Sequence, residues 1–295
     1  MQGAQPVSGE GDGTTNSGTT NSGTTKRWFD QVEDVVIDTS VAHPARRYDY
    51  LLGGKTNYAA DRASGDAILA VHPQAGIDTR ENRKFLSRVV TTLAREHGIT
   101  QFLDIGTGIP SAGNTHEVAQ RIHPAARVLY VDNDPVVLAH ARALMSGTPD
   151  GATAFILADL RRPEDILDHP QLTQVLDLSQ PVALMLIFVL HFLVDADQPK
   201  RIVSQLVQAL PAGSFLAVSH AASDLLPPAT TSELTTVAST SAFGPFRART
   251  RAEVADFFTG LDLLTPGIVP VNQWRHPHPQ PDRPVGAYAA LARIP

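Results

Sequence analysis

The chain reads as an α/β protein, a parallel sheet with helices on both faces, preceded by a helical segment. Three observations carry this reading. From residue 101 onward, short apolar runs alternate with stretches of helical period, the pattern of repeated βαβ units. One run, VALMLIFVL at Val182–Leu190, is apolar on both faces, as a central parallel strand requires. At nine residues it is too short to cross a bilayer as a helix. The third observation is FLDIGTGIP at Phe102–Pro110, where two glycines follow an apolar run. Open α/β sheets receive ligands at such strand ends.

Each element follows in chain order. Residues up to Thr25 are polar, with TTNSG at Thr14 and again at Thr19. Such a stretch buries too little to order itself, so residues 1–27 are expected to form a disordered tail. Residues 28–98 are expected to be a helical segment. There, DYLLGGKTNYAADRASGDAILA opens with an apolar turn and breaks at Gly53-Gly54. It then sets Ala59, Ala63, Ala67 and Ala70 at helical spacing. A further helix is expected over Thr79–Glu96, with Phe85, Leu86, Val89, Val90 and Leu93 inward and Gly98 as its stop.

Residues 99–295 carry the alternation. Strands are expected at Gln101–Ile105, Arg127–Val131, Thr153–Ala158, Val182–Phe188 and Ser214–Ser219, with the last ones at Leu261–Leu264 and Val285–Leu291. Helices are expected at Asn114–Ile122, Pro135–Met145, Lys200–Leu210 and Arg251–Phe258, with short ones before Ser179. Asp134-Pro135 is a cap followed by proline in the first turn, and Thr250 caps Arg251–Phe258. HPHPQPDRP at His276–Pro284 is a loop, since proline at that density excludes helix and central strand.

Composition bounds the function. The chain has 295 residues, 42% hydrophobic, enough for one full domain with a core. Its formal charge of −6 gives no general attraction to phosphate backbones, so nucleic acid is not expected as a partner. Cysteine is absent, which removes disulfides, thiolate nucleophiles and cysteine metal sites. With no apolar signal core at the N-terminus, a cytoplasmic location without membrane attachment is expected. No structural metal is expected: His276 and His278 lie in the proline-rich loop, and no other histidines pair at ligand spacing.

The glycine turn narrows the ligand. Gly106 permits an unusual backbone angle, and Gly108 lets a ligand approach the main chain. An acid, Asp132, ends the next strand in YVDNDP, where a carboxylate can accept both hydroxyls of a ribose. Asp159 ends the third strand, placed to accept an adenine amine while Leu160 packs on the ring. The dinucleotide pattern GxGxxG fails, because Ser111 stands at its third glycine and Pro110 delays the helix. A nucleoside without phosphates fits better, and S-adenosylmethionine is the obvious one. Its carboxylate would meet backbone N–H groups of the turn, and its ammonium Asp104 or a backbone carbonyl. The alternatives are nicotinamide or flavin binding, or a tight turn whose neighbouring acids only cap the next helix.

The sequence resembles the class I S-adenosylmethionine-dependent methyltransferases, and more closely the actinobacterial group called "S-adenosyl methyltransferase", whose substrates are mostly unassigned. The resemblance rests on RRYDYLLGGKTNYAADR at Arg46–Arg62, ENRKFLSR at Glu81–Arg88, QFLDIGTGIPSAGNTHEVAQ at Gln101–Gln120, VLYVDNDPVVLAHARAL at Val128–Leu144, ADLRRPEDIL at Ala158–Leu167, VLHFLVD at Val189–Asp195 and LAVSH at Leu216–His220. It implies a Rossmann-like, seven-stranded, mostly parallel sheet with the last strand antiparallel, and an N-terminal helical lid over the cofactor. It also implies that Asp104, Gly106 and Gly108 form the cofactor turn, Asp132 the ribose acid and Asp159 the adenine acid. VLHF stands where amino-directed enzymes carry an Asn/Asp-Pro-Pro-Phe/Tyr element, which argues against methylation of a base amine.

Methyl transfer from a sulfonium needs alignment and exclusion of water more than a catalytic triad. Candidates for the chemistry are His191, past the fourth strand, and His220, past the fifth, each also readable as a histidine bonded to nearby backbone. Tyr50 joins them from a lid cluster of Tyr48, Gly53, Gly54, Lys55, Asn57 and Tyr58, whose competing reading is a packed helix hairpin. The cofactor set is Asp104, Gly106, Thr107, Gly108, Asp132, Asn133, Asp159 and Leu160, with Arg83 and Tyr58 from the helical segment. The expected function is methyl transfer to a small molecule, with secondary metabolism suggested by family context. The rivals are a non-catalytic S-adenosylmethionine or S-adenosylhomocysteine binder and a nicotinamide-dependent oxidoreductase. Both a monomer and a homodimer agree with the sequence.

Overall fold

The computed structural model describes residues 38–144, 147–239, 246–279 and 285–295. The expected tail, the start of the helical segment at Trp28, the Met145 end of the predicted helix and the last residues of the proline-rich loop lie outside these.

The helical segment holds α1 (Pro44–Leu52), α2 (Ala59–Val71) and α3 (Ala75–His97). His43 Nδ1 accepts the Ala45 N–H, Pro44 occupies the first turn, and Gly53 closes α1 at φ +83°. The alanine spacing marks α2 but not its inner face. Asp61, Ser64, Gly65 and Ile68 are buried, while Ala59, Ala63 and Ala70 are exposed. Gly65 explains part of this, since a Cβ there would lie 2.3 Å from Tyr50 Cδ1. α3 starts one turn before the predicted Thr79 and ends at Gly98 in a left-handed turn.

The sheet contains β1 (Gln101–Ile105), β2 (Arg127–Asp132), β3 (Ala152–Leu157), β4 (Ala183–Ile187), β5 (Phe215–Ala221), β6 (Asp262–Leu263), β7 (Val269–Pro270) and β8 (Ala287–Arg293). Its order is β3-β2-β1-β4-β5-β8-β6, with β7 also paired to β8. The first five strands are parallel and β8 runs antiparallel to β5. The expected seven strands gain an eighth, the two-residue β7. It is too short to show a period, and Pro270 confines it to an edge. Between and after the strands lie α4 (Thr115–Gln120), α5 (Pro135–Leu144), α6 (Pro163–Leu167), α7 (Pro170–Val175), α8 (Pro199–Gln208), α9 (Pro228–Ala238) and α10 (Arg251–Ala255), which continues as a tighter turn to Phe258.

The two-residue period of the strands divides the core into layers. Leu103, Ile105, Leu129, Val131, Leu184, Leu186, Leu216 and Val218 join Ile202, Val203, Leu206 and Phe257 in one. The other lies under α3, where Ser219 Oγ donates to Asn82 Oδ1 at 2.6 Å and the Phe85 and Trp274 rings meet edge to face at 5.3 Å. Phe85, Val89, Val90 and Leu93 are fully buried there, each worth about 1.5–3 kcal/mol of transfer energy. Because β8 is antiparallel, Gly286 at its start shares an edge with the carboxyl ends of β1–β5. Among the described residues, no helix is long and apolar enough to cross a membrane.

Candidate functional site

A cavity of about 490 Å³ opens along that edge, within the range of small-molecule sites. It is walled by Asp104–Gly108 at the end of β1, Val131–Asn133 at the end of β2, Ala158–Arg161 after β3, Ile187–Val189 at the end of β4, Ala221-Ala222 at the end of β5, and Gly286. Residues of α1 and α3, among them Tyr48, Asp78, Asn82 and Arg83, line it from the helical segment.

The glycine turn is held from below. Gly106 has φ +81°, and a Cβ there would stand 2.5 Å from Val189 Cγ2. Gly108 has φ +69°, but no protein atom lies within 4 Å of its would-be Cβ. Its backbone is thus presented to open space. Thr107 Oγ1 points back, 3.2 Å from the Asp104 carbonyl, and fixes the turn. The Asp132 carboxylate is oriented by two N–H donors, Gly108 to Oδ2 at 2.8 Å and Asp134 to Oδ1 at 2.9 Å. Asp134 itself caps α5, its Oδ1 accepting the Val136 N–H at 2.9 Å. Asp159 Oδ1 accepts the Arg161 N–H at 2.9 Å, and Asn133 Nδ2 reaches Asp159 Oδ2 at 3.5 Å. Leu160, buried in the core, also lines the cavity.

Burial pushes the Asp104 carboxyl up to about 6, against the Thr115 hydroxyl bonded to Oδ2 at 2.6 Å and the Arg83 charge. Burial also raises Asp132, against the Asp134 and Gly108 N–H groups that bond it. Both carboxylates beside the turn are thus held above their usual range, with burial as the first cause. Burial acts upward on Asp159 too, but the bonds and charge of Arg161 outweigh it and hold that carboxyl below its usual range. Arg83 lines the cavity, its Nη2 donating weakly to the Ala112 carbonyl at 3.3 Å and Asn114 Oδ1 at 3.4 Å.

His191 lines the cavity beyond β4, with its ring 4.5 Å from Phe188, 4.3 Å from Phe192 and 5.2 Å from Phe246. Its Nδ1 has no hydrogen-bond partner. Burial, then His220, Arg47 and Arg249, hold it well below the usual histidine range, so the ring is neutral. Phe188 turns there at φ +58°, a costly angle for a bulky residue that sets its ring into the wall.

Three predicted site residues lie elsewhere. His220 is not past the fifth strand but inside β5, on the face turned to Phe257. Its Nδ1 donates to the Ala221 carbonyl at 2.8 Å and its Nε2 accepts from Arg249 Nη1 at 3.0 Å. Burial pulls its pKa down to about 3. Tyr50 packs over Gly65 and its hydroxyl donates to Asp66, away from the cavity walls. Tyr58 is an exposed residue at the start of α2, under the Arg46 guanidinium at 5.5 Å. Tyr48, two residues before Tyr50, takes the wall position, bonded to the Thr79 carbonyl at 3.1 Å and to Asn82 Nδ2 at 2.9 Å. The sequence reading missed Asn82, Asp78, His72, Phe188 and His43 as cavity residues. His43 alone carried a local signal, a cap directly before proline. Among the described residues, no group of three or more His, Asp or Glu side chains is arranged to hold a metal.

Comparison with known proteins places this geometry in context. The sequence model of the family described as "S-adenosyl methyltransferase" matches residues 30–295. The chain is similar to a DUF574 family protein of Streptomyces avermitilis MA-4680, at 44% identity over 88% of this chain and 100% of that one, with a TM-score of 0.85. It is also similar to a candidate methyltransferase of Thermobifida fusca YX, at 40% identity over 87% of this chain and 96% of that one, with a TM-score of 0.81. No curated protein matches.

Proposed function

Because the chain belongs to the S-adenosyl methyltransferase family, matched over residues 30–295, we propose that its strand-end cavity methylates a small molecule. S-adenosyl-L-methionine is the cofactor of this family. The residues present fit it. Gly108 leaves room against its backbone, Asp132 has an oriented carboxylate, and buried Asp104 lies beside it. Asp132 would hold the ribose, while Asp159 and Leu160 would hold the adenine. Asp104 would meet the ammonium, and the turn with Arg83 the carboxylate. When bound, the cofactor supplies a methyl group on a cationic sulfur, already activated for displacement.

The protein's part is to hold, orient and dry. Val41–Ala45 and Arg47 cover the cavity from the helical side and restrict water. His191, neutral and framed by rings, is suited to accept a hydrogen bond and orient an acceptor. Its depressed pKa makes it a weak base, so rate is expected to depend on alignment more than on proton removal. His220 and Tyr50 have no part in this reading. A small-molecule acceptor of the kind used in secondary metabolism rests on the family likeness alone.

One observation carries the proposal, buried Asp104 and half-buried Asp132 flanking a glycine turn that opens on the cavity. Calorimetry with S-adenosylhomocysteine and NAD tests it. Wild type is expected to bind the first and not the second, and Asp132→Ala to lose at least about tenfold in affinity. Equal binding by Asp132→Ala would remove the ribose assignment. Methyl turnover on a metabolite panel separates an enzyme from a non-catalytic binder.

A further inference from the structure

The cavity follows the strand-end edge from Asp159 at β3 to Gly286 before β8. The cofactor residues assigned above account for the half at β3, β2 and β1. The other half, past β4 and toward β8, meets a buried arginine whose charge the cofactor placement does not use.

Arg47 belongs to α1, is 5% exposed and lines the cavity. Its guanidinium carbon stands 6.0 Å from the centroid of the Phe192 ring, and its Nη1 donates weakly to Ser64 Oγ at 3.4 Å. Burial pulls its pKa down to about 10, against the attraction of Asp61, so the side chain stays charged at neutral pH. Asp61 is a shared acid. Its Oδ1 accepts the His43 N–H and its Oδ2 the Tyr58 N–H, both at 2.8 Å, and Arg46 Nε lies 3.8 Å from Oδ1.

Two further observations bear on the charge of this half. After burial, what holds His191 low is a set of basic side chains, His220, Arg47 and Arg249. Asp78, the acid that also lines the cavity here, has its oxygens turned into protein. Its Oδ2 is held by His72 Nε2 at 2.8 Å and by the Gly286 N–H at 2.9 Å, and its Oδ1 is sealed from the cavity.

The walls between these groups are ringed. The rings of Phe188, Phe192 and Phe246 surround His191, and Tyr48 faces Phe188 at 5.9 Å. Leu226 and Leu234 complete an apolar lining. A planar guanidinium beside aromatic faces pairs best with a planar anion, which its fork can meet with two parallel hydrogen bonds. Aromatic walls favour a flat body behind that anion.

We propose that this half of the cavity is the acceptor subsite and that Arg47 pairs with the carboxylate of an acid carried on an apolar, ring-sized body. The assignment rests on the cofactor occupying the other half.

The test uses the full chain saturated with S-adenosylhomocysteine. Indole-3-propionate and 3-phenylpropanoate are titrated beside indole-3-propionamide and 3-phenylpropanamide, matched bodies without the charge, and beside cationic tryptamine. The acids are expected to bind about tenfold or more tighter than their amides, the scale of a charge-assisted hydrogen bond. Arg47→Met is expected to erase that preference, and Arg47→Lys to keep part of it, since lysine supplies the charge without the fork. Equal affinities of acid and amide in wild type, absence of acid binding, tighter binding of tryptamine, or a preference that survives Arg47→Met would overturn the proposal. A crystal of wild type with indole-3-propionate serves as a check independent of folding in the variants, because a carboxylate beyond hydrogen-bond reach of Arg47 refutes the assignment. Failure of S-adenosylhomocysteine to bind would instead remove the cofactor reading, so the two failures are distinguishable.

Discussion

A side chain at Gly106 and one at Gly108 would do different things. Both residues sit at positive φ, where a substituted residue loses about 1–2 kcal/mol. Gly106→Ala also strikes Val189, so its unfolding free energy is expected to drop by about 2–4 kcal/mol in urea titration. Gly108→Ala meets no protein atom and should lose only the backbone share, while on the proposed cofactor placement its methyl would intrude on the cofactor. Calorimetry should show its S-adenosylhomocysteine affinity reduced about tenfold or more with modest destabilisation. Asp104 gives a pH prediction. Burial lifts its folded pKa to about 6 from the ordinary 3.8 of an exposed aspartate, so between these values the native state binds the extra proton. Stability of the ligand-free protein from this group is therefore greatest below about pH 4 and falls by about 3 kcal/mol as pH rises past 6. Asp104→Asn should flatten that limb in denaturant titrations across pH, and should weaken binding of S-adenosylmethionine. The turn glycines and strand-end acids were legible because their positions follow from local sequence, a strand end followed by a bend. His220 was misplaced because β5 runs two residues past the predicted Ser219, and in a strand each residue of error reverses the face. Of the tyrosines grouped in the lid cluster Tyr48 lines the cavity and Tyr50 does not, because a helical segment alone does not reveal which face meets the cavity.

At the scale of elements, α1 is tied down beside the carboxyl end of β2. Arg46 Nε lies 3.3 Å from Asp134 Oδ2 and 3.8 Å from Asp61 Oδ1, and His43 Nδ1 lies 3.0 Å from Asp134 Oδ2. Arg46 Nη1 and Nη2 also donate to the Asp38 and Val41 carbonyls at 3.3 Å. Arg46→Ala leaves buried Asp61 and Asp134 without that cation, which costs about 3–5 kcal/mol where a buried pair is broken. The expected outcome is faster cleavage of residues 38–47 in limited proteolysis and faster release of S-adenosylhomocysteine in stopped flow. Elements with a clean period were readable in advance, as α3 was from Phe85, Leu86, Val89, Val90 and Leu93. α2 was read by its alanines, yet its inner face is set by polar Asp61 and Ser64 and by the gap at Gly65, which only the neighbouring helix explains. α9 went unmarked because just one of its residues, Ala238, is buried, so it carries no apolar stripe.

For the whole molecule, ligand linkage gives the broadest check. Saturation with S-adenosylhomocysteine at about 100 times its Kd adds about 2.7 kcal/mol, which raises Tm by roughly 5–10 °C for a domain of this size. NAD at the same multiple of concentration should leave the melting curve in place. The topology was within reach of the sequence because alternating strands and helices with right-handed crossovers leave few arrangements. The half of the cavity past β4 was not, because Tyr48, Asp78, His191 and Gly286 come together only when distant segments close on one edge. Thr231 and Leu234 reach that half from α9, the helix with a single buried anchor. A partition so lightly rooted can be recarved without loosening the floor beneath it. Substitutions at Thr231 and Leu234 are therefore expected to reshape this wall while the strand ends opposite keep their places.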